Sequence, residues 1–134
     1  QDCLEFAKYY RDNFVPSVFS SEPRISVGIF SICAETDTEA EELALSASMW
    51  RQNSQRGLFA PFPTLDEAKG SIKLNNTDDK ENRTFVGSPE TVQEKLQPLL
   101  EKVQPEELKI ITICEPFVAR KKSYDLIKNI FNAN

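Results

Sequence analysis

The stretch Phe85-Val86-Gly87-Ser88-Pro89-Glu90-Thr91-Val92, followed by Glu107-Leu108-Lys109-Ile110-Ile111-Thr112-Ile113-Cys114, decides the reading of this chain. The first run reads as a turn that launches a helix. Ser88 suits the cap because its oxygen can accept a first-turn amide, Pro89 has no amide to leave unpaired, and Glu90 matches the positive helix end. The second run reads as a buried strand delivered by that helix. With the earlier run Ile25 to Thr36, the order becomes strand, long crossover, strand, helix, which is the arrangement of a parallel α/β fold.

Outward from these runs the pattern continues. In Ile25 to Ala34 both alternating sets are small or apolar, as in a strand covered on both faces. Gly28 interrupts it, which points to a close approach of another backbone or a ligand, or to a bulge. Before it, Cys3, Ala7, Tyr10 and Phe14 recur at helical spacing, and that helix should end ahead of Pro16. Thr36-Asp37-Thr38-Glu39 is a capping box opening a helix with Ala40, Leu43, Ala47 and Trp50 on its inner stripe. Thr64 to Glu67 should cap a short helix to about Leu74, within a weakly regular insertion spanning 55–83. Such an insertion is either a lid or binding loop or a plain surface excursion. Val92, Leu96, Leu99, Leu100 and Val103 form the stripe of the helix after Ser88, which Pro98 should kink or divide. A last helix should turn Tyr124, Ile127, Ile130 and Phe131 inward and Arg120, Lys121, Lys122 and Lys128 outward.

Composition narrows the function. A chain of 134 residues is one domain by length, and a net charge of −5 without a dense basic patch argues against nucleic acid as a partner. No apolar run has the ~18 residues a membrane helix needs, and no leader opens the chain. The expectation is a cytoplasmic protein with Cys3, Cys33 and Cys114 as buried free thiols. Histidine is absent, which removes Ser-His-Asp and Cys-His schemes from this chain and, with no CxxC, argues against a metal site. The acids at Asp37, Glu39, Glu41 and Glu42 read as a solvated helix start rather than a catalytic cluster. Asn75-Asn76-Thr77 and Asn82-Arg83-Thr84 match the glycosylation sequon only formally.

An ordered set of segments then resembles one family. Tyr10 to Ser17, Ala34 to Glu41, Arg56-Gly57, Pro63 to Ala68, Phe85 to Val92, Glu107-Leu108, Arg120 and Ser123-Tyr124 look like the C-terminal part of bacterial luciferase-like, flavin-dependent monooxygenases. The family fold is a (β/α)8 TIM barrel of about 250 residues. The resemblance therefore implies that residues 1–134 form a single partial domain: the last two βα units, strands seven and eight, with 55–83 as a lid-like insertion. It implies reduced FMN supplied by a reductase, O2 and a small organic substrate, the remainder of the barrel as partner, and no activity for the segment alone. Cys33 to Glu35 and Cys114-Glu115 would stand at the ends of the two strands. Arg56 and Arg83 are the lid residues that could contact flavin or substrate. Gly87 and Ser88 could hold an anion on free amides, or serve as a cap only. An arginine and a tyrosine that some relatives carry on these strands are matched here by Gly28 and Cys114, so no catalytic residue is assigned. Two alternatives stay open: a deazaflavin-dependent reductase of the same barrel type, and a non-enzymatic α/β module that self-associates, as a homo-oligomer, through strand edges.

Overall fold

The apolar run around Val27 to Cys33 becomes the central strand of the molecule. In the computed structural model, which describes residues 3–71 and 84–132, the elements follow in the order α1 (Cys3–Asp12), β1 (Ser26–Cys33), α2 (Asp37–Gln55), α3 (Leu65–Ser71), β2 (Thr84–Gly87), α4 (Pro89–Val103), β3 (Glu107–Ile111) and α5 (Phe117–Asn132). The three strands form one sheet in the order β2-β1-β3, and both pairings are parallel. This is a small parallel α/β domain, as the order of runs implied. The sheet has one strand more than expected, because Thr84 to Gly87, read as the approach to a turn, pairs with Phe30 to Cys33.

Register explains which residues meet. Val27, Ile29 and Cys33 of β1 lie beside Leu108 and Ile110 of β3 and beside Phe85 and Gly87 of β2. Their face is packed by Val92, Leu96 and Val103 of α4 and by Ile127 and Ile130 of α5. Ile32 and Val86, on the opposite face, meet Ala40, Leu43 and Ala47 of α2. Helices thus lie on both faces, which is why both alternating sets of β1 are apolar. The second face is covered only at its upper end. Below α2 the row Phe30 and Ile111 is 41% and 44% exposed, and Gly28, Lys109, Ser26 and Glu107 beneath it are exposed as well. β1 also has unequal edges. β3 pairs with Ser26 to Phe30, whereas among the described residues β2 pairs with Phe30 to Cys33.

Several expectations change. Gly28 makes room for nothing: a β-carbon there would meet no atom within 4 Å. The glycine that is required is Gly87, with φ 155°, where a β-carbon would lie 2.5 Å from Thr91 Cγ2 and 2.8 Å from Asp37 Oδ1. Pro98 does not divide its helix, since α4 is continuous from Pro89 to Val103 and ends on Gln104 in the left-handed region at φ 46°. β3 closes at Ile111, ahead of the expected Cys114, for reasons given below. Cys3 is exposed, while Cys33 and Cys114 are buried. Tyr124 and Phe131 are about two-fifths exposed, so the inner stripe of α5 reduces to Ser123, Ile127 and Ile130. α3 carries the complete capping box: Thr64 N donates to Glu67 Oε2 at 2.8 Å and Glu67 N to Thr64 Oγ1 at 3.3 Å. In α2 the Thr36 hydroxyl accepts the Glu39 amide at 3.2 Å. Leu74, Arg83, Asn75 and Asn82 lie outside the described residues.

Leu96, 1% exposed, is the largest α4 side chain in the core under the sheet. Leu96→Ala should destabilise the domain by about 2–5 kcal/mol, read as a lower urea midpoint at unchanged slope.

Candidate functional site

Where the strands end, their amides lose ladder partners, and the site is built from what replaces them. The last β1–β3 pair is Phe30 with Ile111. Beyond it, α5 supplies hydroxyls: Cys33 N donates to Ser123 Oγ at 2.9 Å, and Thr112 N donates to Tyr124 Oη at 3.0 Å. Thr112 Oγ1 in turn donates to Ser31 O at 2.8 Å, and Ser31 Oγ to Phe85 O at 2.9 Å. Side chains of α5 thus accept the amides of Cys33 and Thr112 where the β1–β3 pairing stops, because a buried amide left unpaired is costly, while β1 and β2 stay paired through the backbone to Gly87. In sheets of parallel strands, ligands bind outside these carboxyl ends.

A cavity of about 140 Å3 lies there, between α2 and the partly uncovered sheet face. Phe30, Ile32, Trp50, Ile111 and Ile113 give it apolar walls, and Arg51 with Thr84 gives it one polar rim. Arg51 Nη2 donates to Thr84 Oγ1 at 3.2 Å, so the end of α2 is tied to the start of β2. Trp50 packs on Phe62 with ring centroids 6.3 Å apart. A larger hollow of about 360 Å3 lies at the other end of β1, beside Phe6 and Tyr10 of α1, away from the strand ends.

The sequence-derived candidates fall differently. Arg56 is the exposed C-cap of α2, and Arg83 lies outside the described residues. At Gly87-Ser88 the protein supplies its own anion. Ser88 N donates to Asp37 Oδ1 at 2.7 Å, and Thr91 N donates to Ser88 Oγ at 3.3 Å. The backbone bond from Ser88 holds the Asp37 carboxyl below its ordinary value, with help from Thr91 and the Lys95 charge. Lys95 itself donates to Val86 O at 2.7 Å. This helix start therefore acts as a cap and a tie between α2 and α4. Burial pushes the Cys33 thiol up to about 11, and burial also raises Cys114, against the Arg120 charge; neither is poised as a nucleophile. Arg120, expected outward, folds back so that Nη2 donates to Cys114 O at 3.2 Å, and its Nε has no partner among the described residues. Lys122 pairs with Glu35 at 3.1 Å across the ends of α5 and β1. Among the described residues no group of three His, Cys, Asp or Glu could hold a metal ion, and no helix is long and apolar enough to cross a membrane.

Sequence reasoning placed Trp50 on the α2 stripe but missed Phe30, Arg51, Thr84 and Ile111 as one constellation. The available signal was the β-branched and aromatic run Thr84-Phe85-Val86, which marks a strand; its place opposite Phe30 is decided by the tertiary structure.

No protein-family model matches the chain. It is similar to three proteins of Bacillus subtilis (strain 168). YceB is 34% identical over 92% of this chain and 39% of its own length, YwcH 29% over 92% and 39%, and YvbT 27% over 91% and 38%; all three are described as uncharacterized. The chain thus spans about two-fifths of the length of these relatives. Among solved structures, apo-MsnO8 superposes with a TM-score of 0.88 at 26% identity, over 98% of this chain and 42% of that one. The FMN complex of the oxygenating constituent of 3,6-diketocamphane monooxygenase from Pseudomonas putida, a type II Baeyer–Villiger monooxygenase, overlaps 79% of this chain and 33% of its own. At 22% identity and a TM-score of 0.48 that overlap carries no weight here.

Two expectations follow from the geometry. Ser123→Ala would strand the buried Cys33 amide and should cost about 1–3 kcal/mol in urea denaturation, with the helical circular dichroism of the folded state unchanged. For Asp37 the folded-state pKa lies below its ordinary value of 3.8. Ionised Asp37 therefore stabilises the fold fully above the ordinary carboxylate range, and this is lost as pH falls through the lower, folded value. Asp37→Asn should lower the melting temperature at neutral pH, and the two melting curves should converge on acidification.

Proposed function

We propose that this chain is the C-terminal segment of a flavin-dependent, luciferase-like monooxygenase, contributing two consecutive strands, β1 and β3, to a (β/α)8 barrel. The observation that carries this reading is where the family-like segments fall. Ala34 to Glu41 leads from β1 into α2, and Phe85 to Val92 leads from β2 into α4. Pro63 to Ala68 caps α3, and Ser123-Tyr124 secures the ends of β1 and β3. Three of these segments, Ala34 to Glu41, Phe85 to Val92 and Ser123-Tyr124, thus sit at the C-terminal ends of parallel strands, where a barrel holds its chemistry.

Three further features support it. β1 and β3 are adjacent and parallel, as successive staves of a barrel must be. The face bearing Gly28, Phe30, Lys109 and Ile111 is uncovered, as an inner barrel face would be without the remaining strands. α2 and α3 then form an excursion across the barrel mouth, and β2 brings the chain back beside β1 before α4 returns it to β3.

In this reading reduced FMN and O2 supply the oxidising chemistry when bound. This chain's own part is to wall the cavity with Phe30, Trp50 and Ile111 and so keep water away, with the Arg51 guanidinium held against Thr84 at its rim. The residues fit a flavin enzyme's apolar substrate side better than a phosphate site, because the helix start at Ser88 already holds Asp37.

The test is a chimera in which this chain replaces the matched part of YceB. The chimera and YceB should bind FMN and consume O2 in the presence of reduced FMN, whereas the 134-residue chain alone should do neither. Flavin-free YceB and chimera would overturn the proposal, as would turnover by the chain alone.

A further inference from the structure

We infer that the hollow between α1 and the lower half of β1 is a slot for one added β-strand, parallel to β1, with apolar side chains on its α1 side. As part of a barrel this strand rests on the monooxygenase reading; as a strand-binding slot it stands on the hollow itself.

Backbone direction sets the first limit. Ile25 O accepts the Glu107 amide at 3.3 Å, and Ser31 O accepts the Thr112 hydroxyl at 2.8 Å. With the β1–β3 register, this turns the N–H and C=O groups of Val27 and Ile29 toward β3. Ala34 N donates to Gly87 O at 3.3 Å, on the opposite side. Ser26 and Gly28, in step with Ala34, therefore aim their N–H and C=O groups away from β3. Among the described residues β2 pairs with Phe30 to Cys33 and not with these two. Both instead line the hollow, which measures about 360 Å3. Edge groups of this kind are a template for a further strand.

Helix packing sets the second limit. Phe6, Ala7 and Tyr10 of α1 also line the hollow. Ala7 is buried, but Phe6 and Tyr10 are 63% and 41% exposed. A helix of 10 residues depends on packing of its apolar face for stability, and α1 has most of that face open. A strand with alternate apolar side chains turned to α1 would cover it, extending the layer that Ala7 and Val27 already share.

Handedness sets the third. α4 leads from β2 to β3 across the face of Val27 and Ile29, passing from one side of β1 to the other. α1 packs on that face as well, through Ala7, and leads into β1. Parallel crossovers share one hand, so a strand entering α1 lies on the side of β1 to which Ser26 and Gly28 point. YceB, of which this chain spans 39%, has the length to supply one.

Two probes test the slot on the full chain. One is a peptide of alternating valine and threonine with a lysine at each end. Its valines would face α1, donating to the Ser26 and Gly28 carbonyls and accepting from their amides. The other is the chain extended at its N-terminus by the YceB segment that precedes the matched region. With either probe, amide exchange in 1H–15N spectra should slow about tenfold or more at Ser26 and Gly28. It should stay unchanged at Val27 and Ile29, which already bond to β3. A peptide N-methylated at its valines should have no effect. Phe6→Lys, at an exposed position, should weaken peptide binding about tenfold and leave the rest of the spectrum in place. Ser26 and Gly28 amides already protected in the free chain would overturn the inference, because the slot would be taken. So would amides that neither probe slows, an N-methylated peptide that works equally well, or binding indifferent to Phe6→Lys. Protection by the peptide but not by the YceB extension would sink the barrel reading and keep the slot. A flavin-binding YceB chimera whose Ser26 and Gly28 amides exchange freely would sink the slot and keep the reading.

Discussion

Backbone amides at the ends of parallel strands must find acceptors, and this requirement organises the whole domain. The β1–β3 ladder stops at Phe30 and Ile111, yet Cys33 and Thr112, just beyond, are buried. Ser123 and Tyr124 of α5 accept those two amides. The helix is thereby fixed over the strand ends by hydrogen bonds as well as by Ile127 and Ile130. Thr112 and Ser31 extend the same repair sideways to β2.

Asp37 plays the corresponding part between α2 and α4. Its carboxylate accepts the Ser88 amide, so the acid at the start of one helix serves the entry to another. Gly87 allows this approach, since a β-carbon there would collide with Thr91 and with Asp37 Oδ1. An acid near a helix start ordinarily complements its own helix dipole. Here the same residue also braces its neighbour, which ties the excursion of α2 and α3 back onto the sheet.

Coverage of the sheet is asymmetric, and that asymmetry links the fold to its proposed use. Beneath, α4 and α5 bury a continuous apolar layer. Above, α2 covers only the upper end, and the residues below it include Lys109 and Glu107 as well as Phe30 and Ile111. A face of this mixed kind suits a surface met by further protein at one level and by a ligand at another. The cavity sits at the boundary between the covered and uncovered parts, where Trp50 and Arg51 at the end of α2 look onto Phe30 and Ile111.

Local chemistry made much of this legible without coordinates. The caps at Thr36, Thr64 and Ser88, the stripe from Val92 to Val103, and the doubly apolar β1 are written in short-range patterns, because they depend on neighbours three or four residues away or on alternation. The parallel class followed from the order of those elements. What remained hidden depends on residues far apart in the chain. Thr84 to Val86 carries a strand-like run, but which strand it joins is decided by Phe30 to Cys33 lying alongside it. Arg120 turned inward because the carbonyl of Cys114 was there to receive it. The pairing of Ser88 with Asp37 spans 51 positions, and the cavity joins residues from β1, α2, β2 and the end of β3. Periodicity says which side of a helix or strand is apolar, whereas only packing says which apolar sides meet and where they leave a gap.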